Sequence, residues 1–431
     1  MAETYLYLFI GICIAIVAWG LIRLERVYKY PFFMVTIFLS FILPQAISLV
    51  NNSFGSVVSQ AALQRVLLYS CMCIGMCWIG YQYKPNSKWL AKLDIPIDQH
   101  KLFIAGTLLT GIGYLCNLLL SRITIQTAAN GNWTGVATIL DFFAGLIYIG
   151  LPIFLLQALS RPNLINIALT IISTLPILQN IIVSGRRQAT MTFLITIGLS
   201  LFIIKRYVPP RWVFITGIIL AAYIIPVLGQ LRGSFWTLVF NGDWQTVVSS
   251  SQQSLNTVSL GKTLELRNAA LIMDASEQLN KYGYGTGFWD SIVFQFVPGQ
   301  IVGFDVKKSL QFNLGTVGYL QTLYGYSIPN GSTPTGIGDS FMEFGYFGCV
   351  IYALIGFLFK NLWISTIYRG SVVSSILYIG LISPAMLGIT HGIGRFCQEF
   401  IFQCGALFLV TYFSRQKKVN LTYLNNKENY L

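Results

Sequence analysis

"LINIALTIISTLPILQNIIVSGRRQATMTFLITIGLSLFIIK", residues 164–205, decides the fold. Two apolar runs, 164–183 and 188–204, contain no charged residue. Each is about long enough, as a helix, to cross a hydrocarbon core of roughly 30 Å. Between them stand Ser184, Gly185 and two adjacent arginines, Arg186 and Arg187. Runs of this kind recur along the chain and predict an all-α polytopic membrane protein. A transmembrane barrel would show short segments of alternating polarity instead.

Composition agrees. Of 431 residues, 55% are hydrophobic and 10% charged, against about 25% charged in soluble domains. The first apolar run lacks a basic start and reads as a retained span rather than a cleaved signal. Most of the eight cysteines fall inside apolar runs, as in "SCMCIGMCW" (Cys71, Cys73, Cys77). They lack the spacing and polar surroundings of metal sites and read as small buried hydrophobes.

About eleven spans are predicted: 5–22, 32–50, 62–83, 102–121, 136–158, 164–183, 188–204, 212–229, 339–362, 372–390 and 393–413. Alternate connections hold most of the cations, including Arg23, Arg26, Lys29, Lys84, Lys88, Lys92, Lys101, Arg161, Lys205, Arg206, Arg211, Lys360, Arg369 and the tail. Basic loops stay cytoplasmic, so the tail (414–431) is placed inside and the N-terminus outside. This asymmetry also accounts for most of the net charge of +13 without nucleic acid. The opposite side should be poor in cations, yet carries Arg65, Arg122, Arg186, Arg187, Arg232 and Arg395. Snorkelling explains single residues. As a group they call for an anionic ligand.

The chain divides into spans one to eight (1–229), a long outer loop (230–338), spans nine to eleven (339–413) and the tail. In the loop, "TVSLGKTLELRNAALIMDASEQLNKYG" reads as an amphipathic helix with Leu260, Leu264, Leu271 and Leu279 on one face, ending at Gly283. The loop is expected to form a structured cap lying against the membrane surface.

Several motifs fail on inspection. "SLGKT" lacks the first glycine of a phosphate loop, since position 256 is Asn256. Gly283, Gly285 and Gly287 lack a dinucleotide-binding context and mark a turn. Asp94 and Asp98 read as a solvated loop, and no HExxH or GxSxG occurs. The sequons at Asn132 and Asn330 carry meaning only in a eukaryotic cell.

Two stretches carry more. In "TGIGDSFMEFGYFG" (335–348), Asp339 and Glu343 share one face of a helix, as general-base candidates or as charges complementing the helix dipole. In "THGIGRFCQEF" (390–400), His391, Arg395 and Glu399 are spaced as one helical stripe. A carboxylate at the depth of Glu399 is costly unless paired, so it is expected to pair with Arg395, leaving His391 toward a substrate.

These features together resemble the Wzy-type polymerases of O-antigen and capsular oligosaccharide repeat units. "SGRRQAT" resembles the family's Ser-Gly-Arg start of a mid-chain span. "FVPGQIVGFDVKKS" resembles its Pro-then-Lys end of the outer loop, with Gly299 where an arginine is frequent, so that Lys307 or Lys308 would supply the cation. "STPTGIGDSFMEFGYFGCVIYALIGF" resembles its Thr-Pro-Pro, acidic, Phe-Gly-Tyr-Gly start of a late span. The detailed likeness covers about residues 180–360.

The resemblance implies a GT-C-like glycosyltransferase in the plasma (inner) membrane, its active site on the extracytoplasmic (periplasmic) side. It would join oligosaccharides carried on a polyprenyl diphosphate, with a chain-length regulator as a possible partner. Loss of the diphosphate builds negative charge, and the chain has no outer-side DxD to hold a metal. No cofactor is implied. Arginine is the forked, permanently charged substitute: Arg186 and Arg187 first, with Arg232, Arg267 and Arg395 as helpers. His391, Asp339 or Glu343 would accept the proton of the attacking hydroxyl. A related O-antigen ligase is the nearest alternative. A lipid-oligosaccharide transporter is the other, although no repeat symmetry of the transporter kind is evident.

Overall fold

A computed structural model describes residues 2–51, 57–124, 126–127, 133–182, 187–213, 216–217, 235–259, 265–329 and 331–416. Among them the chain is helical, apart from one two-residue antiparallel pairing of Gln126–Thr127 with Trp133–Thr134. Among the described residues ten helical segments are long and apolar enough to cross a membrane, and the protein is a multi-pass membrane protein. The elements used below are α1 (Ala2–Ile22), α2 (Tyr30–Asn51), α3 (Gln60–Gln82), α4 (Gln99–Leu120), α5 (Val136–Ser160), α6 (Leu164–Ile182) and α7 (Arg187–Lys205). They continue with α8 (Glu265–Gln278), α9 (Thr286–Phe296), α10 (Thr335–Phe344), α11 (Cys349–Arg369), α12 (Val372–His391) and α13 (Ile393–Ser414). The expected span at 212–229 lies almost wholly outside the described residues.

Local chemistry shapes the spans. In α2, one π-turn, Phe38–Ile42, precedes Pro44 and absorbs the hydrogen bond that proline cannot donate. The span predicted to begin at 339 instead begins at Thr335. It breaks at Gly345, whose φ of +57° suits glycine, so that α10 and α11 are separate helices joined by a short 3-10 turn.

The core forms around α3, α11 and α12. Residues Gly80 of α3 and Gly356 of α11 let these backbones meet: a Cβ on Gly356 would come within 2.6 Å of the Cys77 carbonyl. Small residues serve this purpose in membranes, where lipid is as apolar as the helix and only close packing drives association. Helix α12 is buried along almost its whole length. Aromatic side chains fill the space around it, with Tyr30 stacked on Phe359 and Trp363 tilted against Tyr378.

The basic connections gather at one end of the bundle. There the Ser371 hydroxyl donates to the Leu93 carbonyl, and the Asp98 N–H donates to the Ser414 carbonyl. Asp98 is a helix cap rather than a free loop residue: its carboxylate accepts the N–H groups of His100 and Lys101 and starts α4.

One expectation for the long loop is overturned. Helix α8 is not an amphipathic helix with one face in water; it is packed between α3 and α10 and buried almost all round. Leu271 is fully buried while Leu279 is exposed, so they do not share an environment; Leu260 and Leu264 lie outside the described residues. The reason is that α8 satisfies its polar groups inside the protein. Arg65 of α3 pairs with Asp274 at 2.8 Å and also with Glu277. Tyr324 donates to Asp274, and Tyr326 donates to Asn268. Small residues Ala269, Ala270 and Ala275 complete the close fit.

Candidate functional site

At the end opposite the basic connections, α10 organises the surrounding backbone. Its start is strained: Thr335 is fully buried and has a φ of +58°, which a β-branched residue rarely adopts. The strain is held by bonds to two other elements. The Thr333 hydroxyl donates to the Thr390 carbonyl at 2.6 Å, and the Thr333 carbonyl accepts from the Asn268 amide of α8 at 3.0 Å. Such outliers persist where neighbours over-determine them, and they cluster at functional sites.

Both acidic residues of α10 hold main chain. Asp339 Oδ2 accepts the Gly394 N–H at 3.0 Å and so caps the first turn of α13 from another helix. Glu343 is fully buried and accepts the Gly285 N–H at 2.7 Å. The turn also bonds the end of α10, with the Tyr284 N–H donating to the Glu343 carbonyl at 2.8 Å. The glycine-rich turn wraps its carboxylate so closely that a Cβ on Gly283 or Gly287 would fall on it. Glu343 Oε1 has no hydrogen-bond partner. The triplet does mark a turn, as its composition implies. What its spacing did not reveal is that the turn is built around a carboxylate.

His391 and Arg395 meet at the junction of α12 and α13, but not as one stripe. Gly392, with a φ of +126°, ends α12, so His391 occupies the last turn of one helix and Arg395 the first turn of the next. The proximity survives because the break is tight. His391 is exposed, and its Nδ1 lies 2.7 Å from the Thr390 hydroxyl. That hydroxyl also bonds the Leu387 carbonyl at 3.3 Å.

The expected pairing of Arg395 with Glu399 is present at 2.8 Å. A second donor reaches Gln398 at 3.2 Å, and Gln398 is itself tied to the Ser291 carbonyl of α9 at 2.6 Å. Two of the guanidinium's five N–H groups serve this brace. The side chain remains 40% exposed, so the other donors face outward.

The remaining cations divide. Arg186 and Arg232 lie outside the described residues. Arg187 opens α7, whose Thr192 bonds Ser383 of α12 at 2.6 Å. The two helices run antiparallel, with Ile203 and Ile204 beside the first turns of α12. At about 1.5 Å per residue, the Arg187 backbone therefore stands at the same end as His391. Arg267 on α8 lies with its guanidinium 4.5 Å from the Tyr326 ring, and its Nε has no partner. Lys307 is committed elsewhere: its ammonium donates to the Phe294 carbonyl at 2.9 Å and lies 4.8 Å from the Phe294 ring. Burial there lowers its pKa from the ordinary lysine range. Lys308 is exposed. Arg65, counted above with the cations awaiting a ligand, is neutralised by Asp274 and Glu277.

No family model, curated protein or solved structure matches this chain. Several residues that matter were not legible in the sequence: Thr333, Thr335, Thr390 and Asn268 are ordinary polar residues until the fold brings them together. The only hint was the unusual density of Thr, Pro and Gly just before Asp339.

Proposed function

We propose that the protein is a glycosyltransferase that polymerises oligosaccharide repeat units carried on a polyprenyl diphosphate, at the outer face of the plasma membrane. One observation carries the reading: an arginine braced by Glu399 and Gln398, with free donors, stands beside an exposed histidine at a helix junction. Arg395 is preorganised to meet the charge that develops on a departing diphosphate. Such fixed donors are worth roughly 3–4 kcal/mol each in a site shielded from water. The Arg187 backbone at the same end, adjoining Arg186, supports a cationic cluster there.

His391 is the favoured proton acceptor. When the Thr390 hydroxyl donates to the Leu387 carbonyl, its oxygen accepts Nδ1–H of the imidazole. Nε2 is then left as a base toward the open side. Asp339 and Glu343 fit a positioning role better than a base, since each already accepts backbone N–H groups. Asp339 holds Arg395 in place by capping the helix that carries it. Asn268 and Thr333 fix His391 from the other side through the Thr390 carbonyl.

Purified protein in vesicles, incubated with lipid-linked repeat units, tests the reading. A ladder of products spaced by one repeat supports it. Transfer of a finished chain to a different lipid acceptor, with no ladder, would favour a ligase instead. Movement of intact lipid-linked substrate across the membrane without new glycosidic bonds would indicate a transporter.

A further inference from the structure

A cleft opens at the basic end of the bundle, with a volume of about 690 Å³. That is within the range of small-molecule sites, about 300–1,000 Å³. Val372 and Ser375, at the start of α12, line it, whereas His391 ends the same helix. Twenty residues of helix put roughly 30 Å between them, so this is a separate site.

The cleft has two zones. Its shaft is apolar, walled by Phe103, Ile153, Leu156, Ile204 and Ile376. Its mouth carries His100, Arg161 and Arg206, all exposed, and none of the lining residues is acidic. The arginines are held in place. Arg206 adopts a φ of +54°, and its guanidinium donates to the Ile367 carbonyl at 3.1 Å. The Arg161 carbonyl accepts from the Asn166 amide at 3.0 Å, where α5 ends and α6 begins.

Charge complementarity points to the occupant. The cleft carries Arg161 and Arg206 with no acidic residue beside an apolar wall, which suits a molecule with an anionic head and an apolar tail.

We propose that this cleft binds an anionic phospholipid from the leaflet at the basic end. The phosphate sits between Arg161 and Arg206, and an acyl chain lies along the apolar shaft. Basic loops attract anionic lipid diffusely. What distinguishes this site is an apolar cleft beside two arginines with no acidic residue in its lining. The proposal is independent of the reaction proposed above.

The full-length protein in neutral detergent can be titrated with dioctanoyl phosphatidylglycerol, dioctanoyl phosphatidylcholine or inorganic phosphate, with occupancy read by native mass spectrometry. Phosphatidylglycerol should bind at least tenfold more tightly than phosphatidylcholine, and the preference should shrink as sodium chloride is raised. The double variant Arg161→Gln with Arg206→Gln should remove the preference, and Ile204→Trp, which fills the shaft, should weaken both lipids. Equal binding of the two lipids, or a preference indifferent to salt, overturns the proposal. Displacement of the lipid by inorganic phosphate at similar concentration also overturns it, in favour of a free-anion site. If the double variant does not fold, the salt series and Ile204→Trp decide.

Discussion

Asp339 and Gly394 join two helices: the carboxylate of α10 accepts the N–H of the second residue of α13 at 3.0 Å. A helix start leaves several N–H groups without partners, and here the cap comes from a different span. The orientation of Arg395, one residue further on, therefore depends on α10.

Replacing that carboxylate separates capping from chemistry. Asp339→Ala should cost about 0.5–2 kcal/mol, as lost caps do, and lower the melting temperature in detergent. Asp339→Asn keeps an acceptor oxygen and should retain both fold and product ladder. A well-folded Asn variant that makes no polymer would move Asp339 into the reaction itself.

The glycine turn around Glu343 predicts a coupled pair. A Cβ at Gly287 has nowhere to go but onto the carboxylate, so Gly287→Ala should destabilise the protein by about 1–3 kcal/mol. Glu343→Ala should also destabilise it, because the Gly285 N–H loses its acceptor. The double variant should be less damaged than the sum, since removing the carboxylate makes room for the methyl. Strict additivity of the melting data would show that the two positions do not meet.

Arg65 should behave as a structural residue. Its side chain is 15% exposed and holds two carboxylates of α8. Arg65→Ala leaves those charges unpaired and should cost about 3 kcal/mol, read as loss of monodisperse protein on size exclusion. Arg65→Met combined with Asp274→Leu and Glu277→Gln should recover much of it. Failure to recover would mean that Arg65 does more than balance α8.

The proposed transfer reaction makes sharper demands on Arg395. Arg395→Lys keeps the charge but loses the planar fork, and polymer formation should fall by about 10²–10³-fold with the fold intact. Arg186→Lys and Arg187→Lys should fall similarly if they share the diphosphate. Full chain length from all three lysine variants would rule out bidentate grip.

For His391, loss of a general base costs about 10²–10⁴-fold in rate. His391→Gln retains hydrogen bonding to Thr390 but not basicity, and should be nearly as inactive as His391→Ala while still binding the lipid substrate. A Gln variant that polymerises normally would leave His391 as a neighbour of the acceptor only.

Long uncharged runs were sufficient to place the ten apolar helices found among the described residues, because the cost of burying charge in hydrocarbon acts on composition directly. The same reasoning anticipated that Glu399 must pair with Arg395, since a helical spacing of four places them in reach. It failed at Gly392, where one residue at positive φ divides a stripe that sequence spacing presents as continuous. It failed again at α8, whose polar residues read as a wet face. Only the fold supplied Arg65 of α3, and Tyr324 and Tyr326 from the chain before α10, as the partners that let that helix be buried. Periodicity records which residues share a face, but not what lies opposite. Whether a carboxylate meets water, an arginine or a tight glycine turn is decided by chain segments far away in sequence.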